Sequence, residues 1–184
     1  MPAQAIAVPT TVAAPTSFDE AYRNWAQCTA RWARHLGGAD IEIEDVVQEV
    51  FLVVSRRLPD FRGEARFSSW LFEITRKIVA NHRRRHRWRF WAGGNEAAAA
   101  TPSQQMDPGT ELERRQMGEL FYRALDQLPE KYRTVLVLFE IEGLSTQAIA
   151  DLRGLKLATV KVQLMRARER FIGHYQQLLK KGKS

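Results

Sequence analysis

Lys161, Arg166 and Arg168 lie close together near the C-terminus of this 184-residue chain, interleaved with Thr159, Val162, Gln163 and Met165. Cations and a carboxamide at that density suit hydrogen bonding to phosphates and base edges, and the apolar side chains suit a thymine methyl. Residues 144–168, LSTQAIADLRGLKLATVKVQLMRAR, read as two short helices around a glycine turn. Ile149 and Leu152, then Val160, Leu164, Ala167 and Phe171, fall at the three- and four-residue steps of one buried face. Ser145 is placed to cap the first helix and Gly154 to supply the positive φ of a sharp exit. The pattern is a DNA-reading helix-turn-helix whose second helix enters a major groove. An amphipathic hairpin with a solvated basic face would show the same spacing.

Two further groupings carry chemistry. Arg62, Arg66, Phe67, Trp70, Phe72, Arg76 and Lys77 precede a basic run, Arg83 to Arg89, that includes Trp88. Bases stack on aromatic faces for about 1–3 kcal/mol each while cations follow the backbone, so single-stranded DNA is the ligand this mixture suits. For Phe67 and Trp70 a place in the core fits equally well. The other grouping is Asp45, Gln48, Glu49 and Leu52, which share the outward face of a helix whose inner stripe is Ile43, Val46, Val47, Val50, Phe51 and Val54. Carboxylates beside exposed aliphatic groups suit a protein partner, or a solvated face with Leu52 against a neighbouring helix.

The elements that position these groups are all helical. Ser17 and Glu20 form a capping box opening a helix to about Leu36, ended by Gly37 and Gly38. A second helix runs from Asp40 to about Arg57, stopped by Pro59, and a glycine-centred loop over 60–69 leads to a third from about Ser69 or Trp70 into the basic run. Residues 92–110 have the Gly, Ala, Pro and Gln content of a flexible linker. Beyond it, Leu112, Met117, Leu120, Phe121, Ala124, Leu125 and Leu128 mark a helix ended by Pro129, and Tyr132 to Phe139 another closing at Gly143. The predicted class is therefore all-α, two small helical domains joined by a linker. The segments are a disordered tail over 1–16, a first domain over 17–91, a linker over 92–110 and a helix-turn-helix domain over 111–184.

The net charge of +7 and a pI near 9.9 point to an acidic partner, because Lys and Arg gain affinity for phosphate polymers by releasing counterions. Cys28 is the single cysteine, which excludes an internal disulfide and a cysteine-rich zinc site. Residues 1–16 lack the basic start and apolar core of a signal peptide, and no apolar run is long enough to span a bilayer. Neither a cofactor nor a metal is called for, and the cytoplasm is the expected location.

Four motifs in order carry a resemblance: DVVQEVFLVV at 45–54, FRGEARFSSWLFEI at 61–74, LPEKYRTVLVL at 128–138 and TVKVQLMRAR at 159–168. Together they resemble the bacterial RNA polymerase sigma factors of the extracytoplasmic-function, sigma-70-like group, over nearly everything from Ser17 to Leu179. The resemblance implies a non-catalytic promoter-specificity subunit, with core RNA polymerase and promoter DNA, both duplex and single-stranded, as partners, and an anti-sigma protein as regulator. It assigns Asp45, Gln48, Glu49 and Leu52 to polymerase docking. Arg62, Arg66, Phe67, Trp70, Arg76, Lys77, Arg83 and Arg84 are assigned to the melting minus-ten element. Thr159, Lys161, Val162, Gln163, Met165 and Arg166 are assigned to the minus-thirty-five element.

The chain departs from the group's pattern at several of these positions. Lys77 stands where asparagine is frequent, and a lysine donates but cannot accept. Ala158-Thr159-Val160-Lys161-Val162-Gln163 replaces the usual Gly-Thr-Val-Lys-Ser-Arg, so the base preference of this helix is its own. Ala148 occupies a place where an acid is common. Two other readings stay open on residues alone: a helix-turn-helix regulator that works without polymerase, and a metal-dependent nuclease built on Asp45, Glu49, Glu64 and His82. The second lacks a closely spaced histidine and carboxylate motif.

Overall fold

A computed structural model describes residues 14–38, 41–91 and 108–181, with side chains described over 14–38, 41–88 and 117–181. Residues 1–13 of the tail expected over 1–16, residues 92–107 of the linker expected over 92–110, Asp40 and the side chain of Leu112 lie outside the described residues. Seven α-helices are described: α1 (Phe18–Gly37), α2 (Ile43–Arg57), α3 (Phe67–Trp91), α4 (Pro108–Asp126), α5 (Glu130–Leu136), α6 (Thr146–Arg153) and α7 (Leu157–Lys181).

Ala21, Trp25, Cys28, Thr29, Trp32, Ala33 and Leu36 recur on one side of α1 and are all buried. Trp25 meets Phe67 with ring centroids 5.5 Å apart, and Trp32 meets Phe72 edge-on at 5.0 Å. Tryptophans bury large areas and such edge contacts add to that burial, so α1 is the staple on which α2 and α3 pack. The Ser17 hydroxyl accepts from the Glu20 amide at 3.3 Å as expected. The return bond differs: the Glu20 carboxylate accepts from the Thr16 amide and hydroxyl at 2.9 and 3.0 Å, not from Ser17. These bonds hold its pKa below the ordinary range.

Three boundaries differ from the sequence reading. α2 starts at Ile43 rather than Asp40, with no side-chain cap at Glu42. α3 starts at Phe67, because the Arg66 carbonyl already accepts from the Ser69 and Trp70 amides. α4 starts at Pro108, inside the span assigned to the linker; proline has no amide hydrogen to satisfy and its φ is preset for a first helical turn.

In the C-terminal half, α5 runs into a wide π turn over Val137–Ile141 before Gly143, at φ 68°, reverses the chain. The Glu142 amide reaches back five residues to the Val137 carbonyl at 3.0 Å. The wider turn delivers the Glu142 carboxylate to α1, where Arg31 Nε lies 2.8 Å and His35 Nδ1 2.5 Å from its oxygens. Leu125, Leu128, Val135, Leu138, Ile149, Leu152, Val160 and Leu164 join the buried residues of the first three helices in one continuous cluster. The two halves thus pack against each other, with α6 lying along α3.

Candidate nucleic-acid interface

The helix-turn-helix forms as its punctuation dictates. The Ser145 hydroxyl accepts from the Ala148 amide at 3.1 Å, and Gly154 adopts the left-handed conformation at φ 60°, ψ 35°. Val160, Leu164 and Ala167 bury the inner seam of α7 against the rest of the domain. That seam turns Thr159, Lys161, Val162, Met165 and Arg166 to solvent; Val162 and Met165 are 45% and 53% exposed, high for such side chains. Gln163 differs from its neighbours: it is half-buried and its Oε1 is sealed from solvent without a hydrogen-bond partner. Arg166 donates to the Tyr132 hydroxyl, and this bond lowers the tyrosine pKa. Arg168 pairs with Glu140 at 2.7 Å and lies over the Phe139 ring. It therefore braces α7 from the side.

On α2, Asp45 and Gln48 are exposed and Leu52 is half exposed, beside a mostly apolar groove of about 520 Å³ lined by Phe18, Tyr22, Val47 and Phe51. Glu49 is less free, since its Oε2 lies 2.8 Å from His82 Nε2 on α3. Of the set considered for a nuclease, Glu49 and His82 are hydrogen-bonded to each other. No group of three or more His, Cys, Asp or Glu that could hold a metal occurs among the described residues.

The aromatic and basic segment divides into two groups. Arg62, Arg66, Lys77 and Arg84 are exposed, and Trp88 is 71% exposed. Phe67 is 4% exposed and wedged among Trp25, Phe61 and Trp70, so in this arrangement it supports the loop, and of these two candidates it is half-buried Trp70 that offers a face. Arg76 is held by Glu73 on its own helix and by Glu130 on α5. Burial works against its charge, but the two carboxylates outweigh it and raise its pKa. Arg83, 9% exposed, pairs with Asp126 at 2.7 Å, and burial pulls its pKa down against that attraction.

The charged residues the sequence reading passed over are those between the halves. Arg153 Nε of α6 lies 2.9 Å from Glu73 Oε1, and burial opposing Glu73 ionisation is outweighed by Arg76 and Arg153, which hold its pKa low. Arg133, 1% exposed, donates to the Leu36 carbonyl at 2.9 Å and to Asp126 at 2.8 Å. Only Glu73 with Arg76, three apart on one helix, had a local signal.

Residues 20–89 match the family Sigma-70 region 2, and residues 118–171 match Sigma-70, region 4. The ECF RNA polymerase sigma factor SigE of Mycolicibacterium smegmatis is 34% identical over 158 residues, 85% of this chain and 61% of that protein, so the chain spans about three-fifths of that relative. The ECF RNA polymerase sigma-E factor of Escherichia coli K12 is 30% identical over 153 residues, 76% of this chain and 77% of that one. Among solved structures, the sigma factor RpoE of Bartonella quintana, in complex with the anti-sigma factor NepR, superposes with a TM-score of 0.57 at 25% identity, over 89% of this chain and 96% of that chain. CnrH, in complex with the cytosolic domain of CnrY, shares the fold with a TM-score of 0.55 at 23% identity, over 91% of this chain and 89% of that one. The two matched regions, in order on a basic chain whose described residues form helices joined by turns and loops, place this protein in the extracytoplasmic-function group of sigma-70-like factors, the promoter-specificity subunits of RNA polymerase.

Proposed function

We propose that the two halves grip a promoter at two points, residues 17–91 as a region 2 domain and 111–184 as a region 4 domain, joined through 92–110. α7 reads the minus-thirty-five duplex with Lys161 and Arg166 as donors, Thr159 near the helix start, and Val162 and Met165 as apolar contacts. The buried Oε1 of Gln163 supports a supporting role for that residue rather than base pairing. Asp45, Gln48 and Leu52, with Glu49 behind them, dock on core polymerase, where cations would meet the carboxylates and an apolar surface would cover Leu52.

Arg62, Arg66, Lys77 and Arg84 follow the melted minus-ten strand while Trp70 and Trp88 offer stacking faces; Arg76 and Arg83 join them once released from their carboxylates. Holding a splayed base in a pocket offsets an unstacking cost of a few kcal/mol. The chain performs no catalysis of its own, works in the cytoplasm, and is held by an anti-sigma protein, the class of partner bound to RpoE of Bartonella quintana. Among the described residues no helix is long and apolar enough to cross a membrane.

The observation that carries this reading is that the exposed Lys161, Val162, Met165 and Arg166 of α7 and the exposed Lys77 and Arg84 of α3 fall within the two matched regions. Arg66→Ala and Trp70→Ala test it. Each should slow open-complex formation on duplex promoters more than on pre-melted ones, and equal effects on both templates would count against strand capture.

A further inference from the structure

We infer that His82 is a positioning residue for polymerase docking, holding the Glu49 carboxylate of α2 in the orientation in which it meets a cation of the partner. This rests on the docking reading of α2 given above. His82 Nε2 of α3 lies 2.8 Å from Glu49 Oε2. A carboxylate only accepts, so the hydrogen of that bond sits on Nε2. Oε1 accepts no hydrogen bond from any of the described residues, so one oxygen is fixed from the α3 side and the other is left for a partner.

Burial gives the contact a direction. The His82 side chain is 19% exposed and the Glu49 side chain 40%. His82 stands one helical turn beyond Ile78, which is buried with Val79 in the same core that α2 enters through Val46, Val50 and Val54. A ring on two torsions, mostly enclosed, is the fixed member; a carboxylate on three torsions, partly in water, is the one held.

α2 itself supplies the reason for the hold. Asp45 and Glu49 are four residues apart, so the two docking carboxylates are neighbours on the helix surface and repel. Glu44 adds a third negative charge in the first turn. Without His82, Glu49 would swing away from Asp45 among several rotamers, and the partner would have to order it. Ordering one such side chain weakens an association about 2- to 12-fold, and the His82 bond does that ordering in advance. Folding depends on the contact much less. Pairs this open to solvent contribute little to stability, and α2 and α3 share the apolar core with or without it.

The test titrates the full chain, labelled at its amino terminus with fluorescein, with purified core polymerase and reads the anisotropy. His82→Leu keeps most of the ring's volume and removes the donor. It should weaken polymerase binding about 5-fold, the middle of the range for ordering one side chain, while helix content and the urea midpoint move little. His82→Gln presents an N–H at a similar reach and should bind within about 2-fold of the parent, the margin left by ordinary additivity. Glu49→Ala should weaken binding on its own. Adding His82→Leu to it should weaken binding less than about 2-fold further, because a residue that acts through Glu49 then has nothing to hold.

A His82→Leu variant that binds polymerase as the parent does, when Glu49→Ala does not, would overturn the positioning role. So would a loss of the same size in both backgrounds, which would put His82 in direct contact with polymerase or in the fold alone. A His82→Gln variant as weak as His82→Leu would overturn it as well, since the donor would then be immaterial. Unchanged binding by Glu49→Ala would instead overturn the docking reading of α2, and the role of His82 with it.

Discussion

Replacing Arg133 separates the cost of burying a charge from the value of its bonds. The side chain is 1% exposed, and burial together with the nearby Arg83 charge pulls its pKa down from 12.5 to about 10. At 1.36 kcal/mol per pH unit, that drop disfavours the charged form by about 3 kcal/mol. Arg133→Met removes the charge and refills most of the volume, so about that much returns. Against it stands the Leu36 carbonyl, which loses its donor at a cost of about 1–3 kcal/mol. Asp126 loses little, since it keeps Arg83 and is one-third exposed. The terms nearly cancel, so Arg133→Met should unfold within about 2 kcal/mol of the parent, as often happens when a buried ion pair is replaced by apolar volume. Arg133→Ala leaves a cavity as well and should lose about 2–4 kcal/mol more than the methionine variant. Urea denaturation followed by ellipticity and tryptophan fluorescence measures both. If the two variants lost the same amount, and more than about 4 kcal/mol each, the hydrogen bonds would outweigh the burial penalty and the reasoning would be wrong.

Lys161→Ala and Arg166→Ala should each weaken binding to a minus-thirty-five duplex by about 1–3 kcal/mol where the lost contact is to a base, measured by fluorescence polarisation; unchanged affinity in both would remove α7 from the groove. Asp45→Lys with Glu49→Lys should abolish binding to core polymerase in a pull-down while leaving helix content intact, and normal binding would reduce this face to a solvated surface. Burial, opposed by Arg31 and reinforced by Glu142, pushes the Cys28 thiol up to about 12 from its ordinary 9.0. A raised folded pKa stabilises fully below pH 9 and is lost as pH climbs toward 12. The native thiol should therefore react with iodoacetamide at pH 9 far more slowly than in urea, and the fall in stability above pH 9 should be shallower in Cys28→Ala.

Local signals were legible in the sequence because they act within a turn or two of chain. Ser145, Gly154 and the Val160, Leu164, Ala167 stripe specified the reading motif, and Val46, Val50, Phe51 and Val54 specified α2. The π turn was not legible, because the apolar run from Val135 to Leu138 is buried throughout and has no polar face to mark its phase. Nor was the seam between the halves. Arg153 meets Glu73, Arg83 meets Asp126, Arg76 meets Glu130 and Arg31 meets Glu142 from distant parts of the chain, and charges carry no period that announces a remote partner. Arg76 and Arg83 consequently looked like free cations. Phe67 and Trp70 satisfied both a stacking and a core reading, and only tertiary packing separates them: Phe67 is enclosed and Trp70 keeps part of its ring outside.

The central claim is that the two halves act together, through polymerase, on promoters. Transcription of genomic fragments by purified core polymerase, with and without this protein, tests it most directly when transcript 5′ ends are mapped. The account predicts starts that appear only with the protein, each preceded by the same two sequence blocks at fixed spacing. Duplex DNA binding by the protein alone, with no protein-dependent start at any fragment, would contradict it and leave a helix-turn-helix regulator in its place.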